Sequence, residues 1–600
     1  MDQQLSLSSF LGVERSLTGR RWQQQQASSR LAQAISQRWN LPDIIGLLLS
    51  ARGVDVEAVS SFLQPTLRAF LPDPLVIPGM ADGVKRVAMA IEQQERMCIF
   101  ADYDVDGATA ASLLKKFLDQ LEISAGLYIP DRLLEGYGLN FQALKNLRQQ
   151  GTTLVITVDC GTSSTNVIDQ ANQIGLDTVV IDHHVAEAVL PKAVAIINPN
   201  RLDTPSDIRK TCGQLAAVGV AFLFLVALNR ELRLRGFYNT AGRSEPDLKQ
   251  WLDIVALGTV CDVVPLIGLN RAFVTQGLKV MAQQTNPGLR ALMSVASLDQ
   301  TPNAYHAGYL LGPRINAGGR LGNSDLGVRL LTTNDELEAR EIAQKLGVLN
   351  QERQLLEKTA LDQAMSIAST QKFSASTDAV FVSSSAWHQG IIGIIAGRLK
   401  DHFHRPVLVA SIDEFIAKGS ARSVQGLDIG TAIIAARQVG LLQAGGGHPM
   451  AAGFTAGIEQ LEDFRNFINQ HLARQLPSGL QQQTIWVDGL LSPAALTVDF
   501  YQQLQQIGPF GYGNPEPRFA IADIRLIKAD IVADRHIRCV GVGQDGKTFK
   551  IMAFRAMETR LGQHLLKPSG HIHLLGTLRL NIWNDREDIQ FIVEDAALAY

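Results

Sequence analysis

From residue 97 onward, short apolar runs alternate with stretches in which apolar residues recur every three or four positions. MCIF precedes GATAASLLKKFLDQL, LVITV precedes SSTNVIDQANQIG, and the runs TVVI and AVAII continue the series. Short apolar runs predict buried strands, and the three-or-four spacing predicts helices. Alternation of the two predicts an α/β fold: a parallel sheet with helices on its faces. Ligands of such sheets bind at the carboxyl ends of the strands.

The pattern changes at residue 333, where one long helical period begins. The letters TNDE at 333–336 predict a capping box in which Thr333 caps the helix and Glu336 reaches back. Arg353 interrupts the apolar stripe of this helix, so we expect it to be only partly buried. We interpret 333–375 as a connecting helix that leads to a second, smaller α/β domain at 376–475, where strand-like and helical runs mix again.

Strand-like runs dominate the last part of the chain. Five of them, with the helical stretch METRLGQHLL between the third and the fourth, fit an OB-type β-barrel over 480–600. Asp545-Gly546 and Asn584-Asp585 predict hairpin turns. Another small five-stranded barrel is the alternative. An OB barrel commonly binds single-stranded nucleic acid.

Two flanking segments complete the predicted organisation. Residues 41–90 are helical and then irregular with two Pro-rich turns, which favours a segment that wraps over a larger domain, and the earlier QQQQ run predicts a floppy terminus. LPSG at 476–479 predicts a linker. The predicted domains are therefore an N-terminal wrap at 1–90, a catalytic domain at 91–332, the helix at 333–375, the second domain at 376–475 and the barrel at 480–600.

Composition narrows the classes of protein. The 46% hydrophobic content excludes disorder over most of the chain. The net charge of −3 excludes a uniformly basic nucleic-acid coat protein but leaves room for a local basic groove. Five cysteines without a CxxC pair argue against a zinc ribbon and a disulfide framework, so we expect a reducing, cytoplasmic location. We also expect no signal peptide and no membrane span.

Acidic residues and histidines follow the predicted strands. They are Asp102, Asp104 and Asp106 after MCIF, Asp159 after LVITV, Asp182, His183 and His184 after TVVI, and Asp262 at the end of a helical stretch. Each single Asp has an ordinary alternative as a helix cap or turn residue. Together they would meet in one crevice, where so many carboxylates cannot all stay ionised without cations.

Oxygen ligands with an imidazole suit Mn²⁺ or Mg²⁺ better than a structural zinc. Two such ions about 3.5–4 Å apart and bridged by a carboxylate make a site for phosphoryl transfer to water. The sequence motifs therefore leave a dinuclear hydrolase and a set of structural caps as competing interpretations.

The motifs closely resemble the DHH phosphoesterase family. The resemblance rests on DYDVDG at 102–107, VDCG at 158–161, DHH at 182–184 and GTVCDVVPL at 258–266. Further segments resemble the family's branch of single-strand-specific 5′→3′ DNA exonucleases: PDRLLEGYG, GPRINAGGRLG, HQGIIGIIAGRL, GSARS, GGGHPMAAGF and PFGYGNPEP. The likeness extends from about residue 41 to 600.

The resemblance implies roles for individual residues. Asp104, Asp106, Asp159, His183 and Asp262 match the metal ligands, with Asp159 at the position that bridges two Mn²⁺ or Mg²⁺ ions. His184 matches the position that contacts the scissile phosphate. Asp102 belongs to the same catalytic motif, and whether it touches a metal directly stays open.

Substrate contacts are also implied. Arg132, Arg314, Ser420 and Arg422 match positions that hold DNA phosphates, and Arg offers a fork of donors suited to phosphate. Gly446 and Gly447 would allow close backbone approach beside His448. A surface ion pair is the alternative for each Arg, and a structural role is the alternative for His448.

The implied reaction is release of 5′-mononucleotides from the 5′ end of single-stranded DNA, in repair and recombination. The implied protein is a monomer without membrane contact, with partners such as a single-strand-binding protein and a helicase. The first rival is a DHH enzyme for small phosphoesters, which generally lacks the barrel. The second is a non-catalytic DNA-binding scaffold, which typically loses metal ligands.

Overall fold

The computed structural model describes residues 8–131, 135–136, 138–240, 242–375, 377–476, 483–567, 570–583 and 586–599. These residues form two compact units. The barrel unit contains the described parts of Met1–Leu71, Val263–Gln276 and Gln482–Tyr600. The sheet unit contains those of Pro72–Asp262 and Gly277–Gln481.

The strands of the described residues are, in chain order, β1 (Arg21–Gln24), β2 (Met97–Ala101), β3 (Ala125–Tyr128), β4 (Leu154–Val158), β5 (Asp177–Ile181), β6 (Ala195–Ile197), β7 (Val380–Ser384), β8 (Val407–Asp413), β9 (Ile416–Arg422), β10 (Ala444–His448), β11 (Ala451–Gly457), β12 (Thr484–Val487), β13 (Gly489–Leu490), β14 (Phe519–Val532), β15 (His536–Val542), β16 (Thr548–Ala553), β17 (Ile572–Trp583) and β18 (Arg586–Leu598).

The α-helices of the described residues are α1 (Ser29–Trp39), α2 (Asp43–Ala51), α3 (Val59–Leu63), α4 (Leu67–Phe70), α5 (Met80–Glu92), α6 (Val105–Gln120), α7 (Phe141–Gln149), α8 (Thr165–Gln173), α9 (Ser206–Cys212), α10 (Ala217–Leu234), α11 (Leu252–Cys261), α12 (Gly268–Ala282), α13 (Pro287–Val295), α14 (Gly312–Leu321), α15 (Leu326–Thr332), α16 (Glu336–Ser369), α17 (Ile392–Phe403), α18 (Ile429–Gln438), α19 (Leu461–Gln475), α20 (Val498–Gln505) and α21 (Arg560–Leu566).

The first sheet of the sheet unit is parallel, in the order β3-β2-β4-β5-β6. Every residue of β2 and β4 is buried, as expected of parallel strands covered on both faces. Residues of α7 and α8 pack on one face, and Gly83 of α5 lies against Val179 and Ile197 on the sheet. The predicted parallel α/β architecture is confirmed.

The second sheet of the sheet unit is mixed, in the order β10-β11-β9-β8-β7. Apolar residues of α17 pack with alternate positions of β7 and β8, including Val407 and Val409. The other face packs against α18 and α19 through Leu408 and Ala410, because strand side chains alternate between faces.

The connecting helix α16 differs in detail from the sequence prediction. It begins at Glu336, and its cap is Asp335, whose carboxylate accepts hydrogen bonds from the amides of Leu337 and Glu338. The capping box assigned to Thr333 and Glu336 is therefore wrong, since a carboxylate one position before the helix takes over the amides. The Thr333 hydroxyl instead donates to Glu338 at 2.6 Å.

Arg353 in the middle of α16 is also more buried than predicted, at 8% exposure. It donates to Oδ1 of Asn350 and, at 2.7 Å, to the carboxylate of Glu357. The helix thus buries a charge by pairing it one turn away, which a scan for apolar periodicity does not anticipate.

In the barrel unit, strands β14, β15, β16, β18 and β17 close into a barrel, because β17 pairs with both β18 and β14. Helix α21 lies between the third and fourth barrel strands. This is the predicted OB topology. Gly546, with φ of 74°, forms the turn between β15 and β16, whereas Asn584-Asp585 lies outside the described residues.

The prediction that the QQQQ run belongs to a floppy terminus is wrong. Its first residues belong to β1, which pairs in parallel with β12. Trp22 of β1 is fully buried, and its indole N–H donates to Asp595 at 2.9 Å. Burial of one large aromatic side chain with a satisfied N–H fixes a segment whose glutamines alone predict no order.

Among the described residues, no single helix has the length and apolar character of a membrane span. The bent pair Ser206–Cys212 and Ala217–Leu234 passes that test by length and composition only. Most of Ala217–Leu234 is buried inside the unit.

Candidate metal centre and basic surface

The first acidic loop follows β2. Asp104 caps α6, because its Oδ1 accepts hydrogen bonds from the amides of Asp106 and Gly107 at 2.9 and 3.1 Å. The Asp106 carboxylate is 1% exposed and accepts the amides of Ala217 and Val218 at the start of α10, at 2.6 and 2.9 Å. The N-termini of two helices therefore hold the carboxylates of this loop.

The next strand end carries Asp159. Its backbone has φ of 61°, a left-handed conformation that Asp tolerates better than most residues. Its Oδ1 lies 3.3 Å from Nε2 of His183 and 3.9 Å from Nδ1 of His184. The turn after β4 thus aims this carboxylate at the residues that follow β5.

His183 is the hub of the cluster. Its Nε2 lies 3.8 Å from Oδ2 of Asp106, and its Nδ1 lies 3.7 Å from Oδ2 of Asp262. Asp262 is the C-cap of α11, so a helix end, not a strand end, delivers it. The buried Oδ2 of Asp262 accepts no hydrogen bond from the residues that the structure describes.

Asp182 anchors the histidine pair. Its Oδ1 accepts the amides of both histidines and lies 2.8 Å from Nδ1 of His184, while its Oδ2 accepts the amide of Thr162 at 3.0 Å. Burial would raise the pKa of Asp182, but the hydrogen bonds from His184 and Thr162 and the charges of both histidines together outweigh it and hold that pKa below its usual range. Burial likewise lowers the pKa of His184, and the contact with Asp182 outweighs it and raises that pKa.

The remaining carboxylates are electrostatically crowded. Burial raises the pKa of Asp106 well above its usual range, and the charges of Asp262 and Asp104 add to it. Burial and the neighbouring charge of Asp106 act on the pKa of Asp159 in the same way. Burial and Asp104 raise the pKa of Asp262 to about 7. Divalent cations in contact with these carboxylates would favour their ionised forms.

The donor set fits divalent metal ions. Three overlapping groups each place their ligand atoms within 4.8 Å of one another: Asp102 with Asp104 and Asp159; Asp106 with His183 and Asp262; and Asp159 with His183 and His184. Burial lowers the pKa of His183 to about 4, which keeps its imidazole neutral and able to ligate. Donor sets rich in carboxylate oxygens with imidazole nitrogen among them match Mn²⁺ or Mg²⁺.

Ser420, Arg422, Gly446 and His448 lie together on the second sheet, and we call these four residues the basic surface. Ser420 pairs with Gly453, which pairs with Gly446; Arg422 pairs with Ala451, which pairs with His448. Directly paired residues, and those two apart on one strand, share a face of a sheet. The register therefore puts all four positions on one face.

A helix N-terminus completes this surface. A Cβ placed on Gly393, in the first turn of α17, would lie 3.1 Å from a guanidinium nitrogen of Arg422 and 3.2 Å from the hydroxyl of Ser420. Arg422 donates to that hydroxyl at 2.9 Å. Cation, hydroxyl and helix amides in one place are suited to an anion.

The other predicted substrate residues lie elsewhere. Gly447 alternates to the opposite face, where its own Cβ would meet Ala451 and Ala452. Arg314 lies on α14 and donates to the carbonyl of Leu310 at 2.6 Å, and burial lowers its pKa. Arg132 falls outside the described residues.

Sequence reasoning missed the supports of the histidine pair. The amide of Asn198 donates to the carbonyl of His184 at 2.8 Å, and that of Asn200 donates to the carbonyl of His183 at 2.6 Å. Both follow β6, so the strand-end rule that found the acids would have found them as well.

Comparison with known proteins places this fold and site in a class. The model of the "DHH family, N-terminal domain" matches residues 96–259, the "DHHA1 domain" matches 377–474, and the "RecJ OB domain" matches 487–595. These matches cover the first sheet with the acidic cluster except Asp262, the second sheet with the basic surface, and most of the barrel.

Curated relatives narrow the class. A "Single-stranded-DNA-specific exonuclease RecJ" of Bacillus subtilis is 32% identical over 96% of this chain and 71% of its own length. The protein of the same name from Dickeya dadantii is 34% identical over 92% of this chain and 96% of its own. The chain belongs to the RecJ family of exonucleases, which are metal-dependent enzymes.

Solved structures of RecJ proteins also match this chain. RecJ from Thermus thermophilus in complex with Mn²⁺ matches with a TM-score of 0.78 and 26% identity, over 95% of this chain and 78% of that one. The complex of the same protein with Mg²⁺ matches with a TM-score of 0.72 and 25% identity, over 95% and 77%. The metals of these relatives are the two that the donor set favours.

Proposed function

We propose that this chain is a single-stranded-DNA-specific exonuclease that uses two Mn²⁺ or Mg²⁺ ions to release 5′-mononucleotides from the 5′ end. The observation that carries the proposal is the presence, in one unit, of an acidic cluster with three overlapping metal-ligand groups and of a basic surface suited to a phosphate. The membership of the chain in the RecJ family supports single-stranded DNA as the substrate.

In this proposal Asp104, Asp106, Asp159, His183 and Asp262 hold the ions, with Asp159 between them. The ions, when bound, activate water and neutralise charge on the phosphate. Asp159 suits the bridging role because it belongs to two of the three ligand groups. Asp102 belongs to one of these groups, which favours a catalytic role next to the metal.

His184 contacts the scissile phosphate in this proposal. Asp182 holds its Nδ1 and raises its pKa, which favours the protonated ring. We assign Nε2 as the donor to a phosphate oxygen, where it offsets the charge that develops during hydrolysis.

The basic surface receives the 5′ phosphate. Arg422 supplies the cation, Ser420 a hydroxyl, and the hairpin of Gly446, Gly447 and His448 borders them. Arg314 and Arg132 hold further phosphates of the strand. The barrel supplies a groove that binds the strand without reading its bases.

Membership of the RecJ family also supports a proposal for the cellular role, the partners and the oligomeric state. We propose roles in DNA repair and recombination, partners that include a single-strand-binding protein and a helicase, and a monomeric state. The five cysteines are all unpaired, which suits the cytoplasm.

The test offers the purified protein two substrates with Mn²⁺: a long single strand with a 5′ phosphate, labelled at one end or the other, and a dinucleotide. We expect early release of the 5′ label as a mononucleotide, late release of the 3′ label, and no product with EDTA. Cleavage of the dinucleotide alone would favour an enzyme for small phosphoesters. DNA binding without product at any metal concentration would favour a scaffold.

A further inference from the structure

Helix α14 lies against the metal centre at both of its ends. A Cβ on Gly312, its first residue, would lie 2.4 Å from the sulfur of Cys261, the neighbour of Asp262. A Cβ on Gly319, near its other end, would lie 3.0 Å from the carbonyl oxygen of Tyr103, between Asp102 and Asp104. Such close approach leaves α14 little freedom to shift relative to the acidic loops.

The end of α14 also holds the loop that precedes α17. The guanidinium of Arg320 donates to the carbonyl of Gly390 at 2.7 Å. In the opposite direction, a Cβ on Gly390 would lie 2.8 Å from the carbonyl oxygen of Arg320. The two backbones therefore touch, and we call this contact the 320–390 latch.

The far side of the same loop is tied to the second domain. The backbone carbonyl of Trp387 accepts a hydrogen bond from the hydroxyl of Ser411 at 2.6 Å. The indole N–H of Trp387 donates to the side chain of Gln363, on α16, at 2.9 Å. The amide of Gly390 donates to Nδ1 of His388 at 3.0 Å. The loop is thus a short, braced connection rather than a free linker.

Two residues beyond the loop, Gly393 of α17 lies against Ser420 and Arg422. A continuous path of contacts then joins the two parts of the site: from Tyr103 through Gly319 and Arg320 to Gly390, and from α17 to Arg422.

We infer that the 320–390 latch sets the distance between the basic surface and the metal centre, and so determines which phosphodiester is cut. This inference rests on the proposed function, in which the basic surface binds the 5′ phosphate. A strand anchored there presents its first internal phosphodiester to the metals only if this distance is fixed. Arg320 and Gly390 are positioning residues, since they act through the loop.

Two variants disturb the latch in different ways. Arg320→Ala removes the hydrogen bond, and Gly390→Ala drives a methyl group between the two backbones. Arg320→Lys retains a donor for the carbonyl of Gly390 and serves as the rescue variant. Gly397→Ala is the matched control, because an added Cβ on this residue of α17 would meet nothing within 4 Å.

The measurement is the length of the first product released from a 5′-phosphorylated single strand in a single turnover with Mn²⁺. We expect Arg320→Ala and Gly390→Ala to raise the ratio of di- to mononucleotide at least about fivefold. We also expect kcat to fall about 10- to 100-fold with KM nearly unchanged, since a misplacement of about 1 Å has effects of that size. Arg320→Lys should restore the product ratio in part, and Gly397→Ala should match the parent.

Thermal melts check folding. If Arg320→Ala does not fold, Gly390→Ala decides the question alone. Slower turnover with only mononucleotide product in the folded variants would overturn the inference, because it would indicate a structural role. Failure of the parent itself to release 5′-mononucleotides would overturn the proposed function instead, so the two failures are distinguishable.

Discussion

The metal centre and the basic surface occupy the same unit but are built in opposite ways. The carboxylates of Asp106 and Asp159 are almost fully buried, at 1% and 3% exposure, and they crowd charges of one sign. Ser420 and Arg422 are half-buried, with a cation next to a neutral hydroxyl. Under the proposed function, bound cations would stabilise the first site, whereas the second would bind a phosphate through the cation and the hydroxyl that it already holds.

This contrast in charge predicts different effects of the two sites on the stability of the folded chain. Backbone amides fix the acids before any metal binds, so the folded chain carries their mutual repulsion. The basic surface carries no such repulsion. Substitutions in the first should therefore affect catalysis and stability in opposite directions, and substitutions in the second should affect binding alone.

The largest effect is expected for Asp159→Asn. In the proposed function Asp159 supports both ions, so its loss should slow hydrolysis at least about 1,000-fold, because the phosphate and the water would lose their common support. The metal-free protein should melt at the same temperature or higher, because one crowded charge is gone and Asn tolerates φ of 61°. Single-turnover rates and thermal melts in EDTA measure the two effects.

Asp119→Asn is the matched control for that variant, since Asp119 is exposed, pairs with Lys115 and lies at the end of α6 away from the acidic loop. Its rate should equal that of the parent. A rate for Asp159→Asn within tenfold of the parent would remove Asp159 from the metal centre.

Metal removal should give the next largest effect, on stability. In EDTA the acid of Asp262, with a pKa near 7, is partly protonated in the folded chain but ionised in the unfolded chain above pH 5. Its contribution to stability is therefore present at low pH and lost as pH rises through 7. The free energy of unfolding of the parent minus that of Asp262→Asn should fall between pH 5 and 8.

Mn²⁺ should reverse that trend, adding about 2.7 kcal/mol to the parent at 100 times its Kd and less to Asp262→Asn. Denaturant melts at several pH values test both statements. A difference between parent and variant that rises with pH in EDTA would contradict the assignment of a crowded carboxylate.

Arg422→Gln should give a smaller effect, confined to binding. Loss of one charge-assisted hydrogen bond to phosphate should cost about 1.5–3 kcal/mol, or about 10- to 100-fold in the preference for a 5′-phosphate over a 5′-hydroxyl strand. Competition between the two strands measures the preference. Arg465→Gln, on α19 across the sheet, is the control, and an unchanged preference in Arg422→Gln would place the 5′ phosphate elsewhere.

Ser420→Ala should have the smallest effect. A neutral hydroxyl contributes about 0.5–1.5 kcal/mol, which predicts about a two- to tenfold rise in KM with kcat unchanged. Ser383→Ala on β7 is the control for loss of a serine hydroxyl. If kcat falls instead of KM rising, the hydroxyl acts on the reacting phosphate and not on its anchor.

Much of this site could be predicted because its chemistry follows local rules. Parallel strands bring their carboxyl ends together, so Asp104, Asp159 and His183 could be grouped from sequence alone. Asp262 follows a helix, so the rule for strand ends does not place it, and its role as a metal ligand was implied by the resemblance to a family. The OB topology was accessible because turns and one helix punctuate the strands of the barrel.

The rest depended on contacts between distant residues. The sequence around QQQQ does not predict that β1 pairs with residues 484–487. Burial of Arg353 depends on partners that a hydrophobic scan counts as polar. Thr333 and Asp335 are both favourable N-cap residues and lie only two positions apart. The sequence pattern does not tell whether the hydroxyl or the carboxylate binds the first amides of α16.

The pairing of β1 with β12 bears on how the chain is synthesised. The barrel unit draws on three stretches of sequence separated by hundreds of residues. Trp22 leaves the ribosome several hundred residues before its partners Ile485 and Asp595. At about 5–20 residues per second, this buried tryptophan stays uncovered for roughly half a minute to two minutes, a period in which chaperones have an apolar segment to shield.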